Sequence, residues 1–555
     1  MTDTSTRATV RYLGGESGHR SFFGGQHSRT RISLLGLFII SGMILTPLLG
    51  WPGLVIGVVG IGLTLMLTAK THRGSIIDRR ARRARWKRRI ADGTDAFQPY
   101  ETGAWDQAEQ RLQVARALRG RARTQATWEA QRELTALRSN PDGADGMGWL
   151  QQSRGEPGIG WHAPTGEQPY LSVTFAVTGQ LRGIESSSVM TRAAEGWGTF
   201  LASRAAASVL VGGVQTMTRV LPADTAMQEF WVAGSLDPDV PVEAIKSYEE
   251  VLHLTGQDAM VQRHFITVSW PVTTAFIAAA TKYGAGRDGW RELMRQEIAS
   301  TVRGLQDARL GTVETLTARQ TVAVMLHQQN PSRPIDYVAD VHPARAGVAS
   351  HDEFSAHVVT GTDAITGEEV EWWHRTAAIR ADALTTAPRT QLWLLDLLIG
   401  ADMPFIRSVS FHLHLIPATD AKAAARQDMV RDAAESLSRQ EAGKFDTDDT
   451  QVAMSAARRR REDLIAGSHH HGAEWVGYVT ISARDRDELA RTSRQLQETC
   501  TTSLGIERLE WMDSYQSAAS GTTWPIGRGL AATRTSISSR MLTRLAGRTD
   551  KESIS

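Results

Sequence analysis

The stretch ISLLGLFIISGMILTPLLGWPGLVIGVVGIGLTLMLTA, residues 32–69, contains no charged residue. It is too long for one crossing of a bilayer, since about 20 apolar residues span the hydrocarbon core. Its middle holds Pro47, Gly50, Trp51, Pro52 and Gly53. Proline and glycine interrupt helices, and tryptophan favours the headgroup level. The stretch therefore reads as a transmembrane helical hairpin, with spans 32–49 and 54–69 and those five residues in the turn. Spans this short require little tilt or a locally thinned bilayer. A signal peptide would show one shorter apolar region and a small-residue cleavage site.

The flanks set the orientation. Behind the second span come Lys70 and Arg73, then Arg79, Arg80, Arg82, Arg83, Arg85, Lys87, Arg88 and Arg89, opposed only by Asp78. Ahead of the first lie Arg7, Arg11, Arg20, Arg29 and Arg31. Lys and Arg stay on the cytoplasmic side, so the expectation is a multi-pass plasma-membrane protein with both termini inside. The eight basic residues from Arg79 to Arg89 read as a membrane-interface site, each worth about 1 kcal/mol near an anionic leaflet. DNA contact is the lesser reading. The net charge of +2, from 62 basic and 60 acidic residues, gives no global nucleic-acid footprint.

The 555 residues leave room for an anchor and two or three globular units. The reading divides them into a cytosolic tail 1–31, the hairpin 32–69, a basic helical stalk 70–140, α+β modules 161–340 and 341–530, and a polar tail 531–555. Asn140-Pro141-Asp142-Gly143 marks a linker after the stalk. Beyond it, strand and helix patterns alternate. Residues 170–177 read as a strand, 186–211 as a helix and 214–221 as a returning strand. Residues 264–270 form the next strand, followed by a helix with Trp290, Leu293, Ile298, Val302 and Leu305 on one face. Thr317 and Gln320 make a capping box. Residues 408–416 and 474–481 are strands, and Asp485 and Glu488 cap a helix that carries Leu489, Leu496, Cys500 and Leu504 and stops at Gly505. Repeated strand–helix–strand modules predict an α+β fold.

The sequence offers no catalytic, cofactor-binding or metal-binding residue to name. The one Gly-Lys pair, Gly443-Lys444, has no glycine-rich turn before it, so no P-loop is present. Gly57, Gly60 and Gly62 lie inside the second span and read as helix packing. His469, His470 and His471 read as a loop, and His412 and His414 as packed strand residues. Cys500, the sole cysteine, reads as a core residue.

The hairpin, followed by His72-Arg-Gly-Ser-Ile-Ile-Asp-Arg79, resembles the small two-span inner-membrane subunit of conjugative type IV secretion systems. Arg263-His-Phe-Ile-Thr-Val-Ser269, residues 305–317, Tyr478-Val-Thr-Ile-Ser-Ala483 and the tail 516–528 are similar to the N-terminal, non-motor half of TrbE/CagE-type conjugation ATPases. The resemblance implies an actinobacterial protein carrying hairpin and accessory half without a motor. Its partners would be the lipid bilayer, a separate P-loop ATPase and other channel subunits, with self-association left open. The expected role is a non-catalytic scaffold. The alternatives are a structural subunit of a type VII-like secretion complex and a membrane-anchored enzyme.

Overall fold

The computed structural model describes residues 11–13, 29–68, 76–164, 167–180, 185–222, 235, 237, 239–256, 260–333, 341–363, 367–385, 387–390, 392–399, 403–423, 426 and 471–529. Its framework is one 14-stranded sheet in an α+β fold. At the centre, Gly213–Pro222 pairs antiparallel with Arg407–Ile416. Outward on one side follow Met260–Pro271, Tyr170–Val177, Ile159–His162 and Met147–Gln151. Outward on the other follow Gly472–Ala483, Glu369–Ile379, His357–Thr362 and Ser350–Asp352, then Ala96–Pro99 and Leu137–Arg138. The sheet runs through both sequence modules without a break.

The two sides are the same unit used twice. Tyr170–Val177 carries an extra short strand, Val313–Thr315, and Glu369–Ile379 carries Glu510–Trp511 in the same place. Thr174 faces Thr267, and their hydroxyls are 2.9 Å apart; Thr376 faces Thr480 at 2.8 Å. The equivalence Val268 to Ile481 makes Val214 correspond to Arg407, their partners in the central strands. Met217 then corresponds to Ser410, and these two residues sit opposite each other. That is the condition for a pseudo-two-fold axis through the central pair. The sequence trace of the duplication is short: His264-Phe-Ile-Thr-Val-Ser269 against Gly477-Tyr-Val-Thr-Ile-Ser482.

Side chains alternate across a strand, so each half has an apolar and a more polar face. Ile266, Val268 and Trp270 are buried in one core with Phe200, Leu293, Met294, Ile298 and Leu305 of the helices Ser187–Arg204 and Gly286–Asp307. Val479, Ile481 and Ala483 join Leu489, Leu496 and Cys500 of the helix Arg486–Thr502. The opposite face presents Thr174, Thr267, Gln215, Ser410, Thr376 and Thr480, all buried. Residues 512–529 cross that face as a strap, with Trp524 only 2% exposed. Side chains of the sheet take up the strap's backbone groups. Gln215 Nε2 donates to Trp524 O at 2.9 Å, its Oε1 accepts from Gly527 N at 2.8 Å, and Thr174 donates to Pro525 O at 2.6 Å. From the second half, His412 Nε2 donates to Thr522 O at 2.7 Å. Buried polar groups on this face are thereby satisfied rather than replaced by apolar ones.

Several expectations shift in detail. The predicted helix 186–211 stops at Arg204. The stalk contains three helices, Ile76–Asp92, Thr102–Ala117 and Gly120–Ala136, but also two strands of the main sheet. Phe97 between them is 3% exposed, so this segment belongs to the folded body. The expected linker at Asn140–Gly143 packs against the strap: a Cβ on Gly143 would lie 2.8 Å from Gly521 Cα.

Candidate functional site

Two helices, Arg29–Leu49 and Trp51–Thr68, form the hairpin. The turn is tighter than the sequence implied. Gly50 alone makes it, with φ at +69°. Pro47 sits in the last turn of the first helix, while Trp51 and Pro52 open the second. A proline in the first turn removes only an N–H that has no helical partner. Gly53, Gly57, Gly60, Thr64 and Thr68 form the buried stripe of the second helix. A Cβ on Gly57 would come within 3.1 Å of Gly42 Cα, and one on Gly53 within 2.4 Å of the Leu45 carbonyl carbon. Small residues let the two backbones approach, and the threonines bond inward, Thr64 to Gly60 O at 2.8 Å and Thr68 to Thr64 O at 2.6 Å. Gly62 is off this seam, with nothing within 4 Å of its Cβ position.

The outside of the hairpin is the reverse of an ordinary surface. Leu37, Ile40, Met43, Leu48, Val58, Val59 and Met66 are exposed, and Trp51 at the tip is 78% exposed. Trp51–Thr68 is long and apolar enough to cross a membrane; the apolar part of the first helix, Ser33–Leu49, is shorter.

The basic block lies on the helix Ile76–Asp92, whose two faces have different fates. Arg79, Arg80, Arg83, Lys87 and Arg88 are exposed, and Arg82 is half-buried. Arg85 is exposed but has its guanidinium 5.1 Å from the Tyr515 ring centre. Arg89 departs from the interface role expected of it. It points into the protein and bridges Asp352 at 2.7 Å and Asp142 at 2.8 Å, with the Asp352 side chain fully shielded. It also donates to Thr94 O at 2.8 Å and Ser514 O at 3.3 Å. Ser517 completes the cluster: its N–H donates to Asp352 Oδ1 at 2.8 Å, and its hydroxyl lies 2.8 Å from both Asp352 Oδ2 and Asp142 Oδ2. Arg138 contacts Asp142 at 2.5 Å. Two guanidinium groups and two carboxylates thus form a neutral clasp between the helix Ile76–Asp92, the 140s segment, the sheet edge and the strap. Burial pushes the Asp352 carboxyl up to about 7, although Arg89 and Ser517 pull it down. The sequence marked Asp142 only as part of a linker and Ser517 only as part of the 516–528 tail, and gave no sign of Asp352, because the three meet only in the fold.

The histidines and the cysteine fall elsewhere. Cys500 is buried, and burial pushes its thiol up to about 12. His412 lies under the strap, and His471 Nδ1 accepts from Ala418 N at 3.0 Å. His469 and His470 lie outside the described residues. Among the described residues, no group of three or more His, Cys, Asp or Glu is placed to hold a metal ion. No protein-family model matches the chain, and no curated protein matches it.

Proposed function

We propose that this chain is a membrane-anchored, non-catalytic scaffold of a conjugation-type secretion apparatus. The observation that carries the anchoring is the hairpin, whose helices pack through glycine and leave large apolar side chains on the outside. In water such a surface is costly at roughly 25 cal/mol per Å²; in lipid it is solvated. The exposed basic residues Arg79, Arg80, Arg83, Lys87 and Arg88 then lie just past the second span, where an anionic leaflet attracts them. Both ends of the hairpin and the sheet domain are in the cytoplasm.

The secretion assignment rests on the resemblance in the hairpin flank and in strands 263–269 and 478–483. A motor would come from a separate P-loop ATPase, docked on the α+β body. Affinity purification of the full chain from solubilised membranes tests this. Recovery of a P-loop ATPase with channel subunits is the expected result. Recovery of small secreted helical-hairpin proteins instead would move the chain to the type VII-like class, and recovery of no ATPase would remove the scaffold reading.

A further inference from the structure

Among the described residues, Arg219 and Arg407 are the arginines less than 2% exposed, and they are treated in opposite ways. Arg407 is fully buried, and four carbonyls take its guanidinium: Leu397 at 2.7 Å, Met403 at 2.6 Å, Phe405 at 3.2 Å and Leu398 at 3.4 Å. Arg219 is 1% exposed, on the strap side of the central strand Gly213–Pro222. Its one hydrogen bond among the described residues goes from Nη1 to His327 Nδ1 at 2.6 Å, and its Nε–H has no acceptor. No carboxylate among the described residues forms an ion pair with it. Arginine does not deprotonate in proteins, so the charge stays, and a buried charge without a carboxylate partner among the described residues is strongly unfavourable.

Two further guanidinium groups lie nearby. Arg263 lies directly across the ladder from Arg219, on the same face. His327 is in the last turn of the helix Ala318–Gln329, and Arg333 follows that helix by a short turn in which its N–H donates to Asn330 O at 3.1 Å. Burial, then Arg219, Arg333 and Arg263, hold His327 well below its usual range, so it is neutral. Since its Nδ1 accepts from Arg219, its proton sits on Nε2, which makes that nitrogen a second donor. The carbonyl end of the helix supplies a partial negative charge of about −0.5, less than one guanidinium requires.

We propose that Arg219, with His327 and Arg333, forms an oxyanion-binding site within the first half of the duplicated sheet. The ligand is a phosphate or carboxylate group, which takes N–H donors in the fork geometry a guanidinium offers. The test is the thermal midpoint of the full chain in detergent, titrated with inorganic phosphate, with acetate, and with potassium chloride at matched ionic strength. Wild type is expected to shift upward with phosphate, with acetate, or with both, following mass action, and not with chloride. The phosphate and acetate arms separate the two ligand sources. Arg219→Met should lose the shift while folding at least as well as wild type in chloride, because a buried charge with no carboxylate partner among the described residues has been removed. Arg333→Gln, at a half-buried position, should weaken the shift and serves where the Arg219 variant fails to fold. A wild-type midpoint indifferent to both oxyanions, or equal shifts in wild type and variants, would overturn the proposal.

Discussion

Replacing Arg89 by glutamine removes the cationic centre of the clasp and leaves Asp352 with Ser517 as its remaining close partner. The Asp352 side chain is fully shielded and bridges Arg89 at 2.7 Å, so the carboxylate cannot recover water. Removing one partner of such a buried pair costs about 3–5 kcal/mol. The same reasoning makes the Arg89→Gln, Asp352→Asn double variant milder than the sum of the singles, since two neutral amides can face each other. The neighbouring Arg88→Gln, on the exposed side of the same helix, should stay within about 0.5 kcal/mol of wild type. The assay is denaturant unfolding of the detergent-solubilised chain for wild type, Arg89→Gln, Asp352→Asn, the double variant and Arg88→Gln, with the interaction energy read from the cycle. Should Arg89→Gln behave like Arg88→Gln, or should the double variant be as unstable as the summed singles, the clasp would be a surface pair and the reasoning wrong.

Three further outcomes follow from the same geometry. Burial lowers His162 to about 3 and His374 and His412 to about 4, below the unfolded value of 6.5. Their contribution is therefore complete above pH 6.5 and lost as pH falls toward the folded values, while Asp352, raised from 3.8 to about 7, works in the opposite sense over that range. His264, His327 and His357 are lowered as well, so the histidines outweigh Asp352. The folded chain then binds fewer protons than the unfolded one near pH 5, and stability should fall from pH 7 to 5; an unfolding midpoint unchanged between pH 7 and 5 would contradict it. Trp524→Ala should cost about 3–5 kcal/mol and expose the strap to hydrogen exchange, because a fully enclosed indole is lost from its core. Gly57→Leu should lower the midpoint of the solubilised protein by forcing the hairpin helices apart, whereas Gly62→Leu, off the seam, should leave it unchanged.

Local signals in the sequence carried the local structure well. Thr317 and Gln320 form both halves of the capping box, and Asp485 accepts from Glu488 N at 2.8 Å. Gly505 stops its helix with φ at +60°, where a side chain would be strained. The central strands were readable because alternation of β-branched and polar residues has one period. The duplication was not, since a six-residue echo is too short to stand out and the equivalence lies in strand register. The strap was not either: a segment rich in Ser, Thr, Gly and Gln reads as a tail, and it is buried here because glutamine and threonine side chains of the sheet take up its backbone groups. Arg89 looked like seven other basic residues around it. Its role depends on Asp142 and Asp352, which lie far away in sequence.

On the proposed function, the apolar hairpin lies in lipid with its flanks in the cytosol. Single cysteines at Trp51 and Arg80, introduced one at a time with Cys500 buried in its core, can be challenged with a membrane-impermeant thiol reagent on intact cells. The prediction is labelling at position 51 without permeabilisation and labelling at position 80 only after it. Labelling at 80 from outside, or recovery of the full chain as a soluble monomer in the absence of detergent, would contradict it.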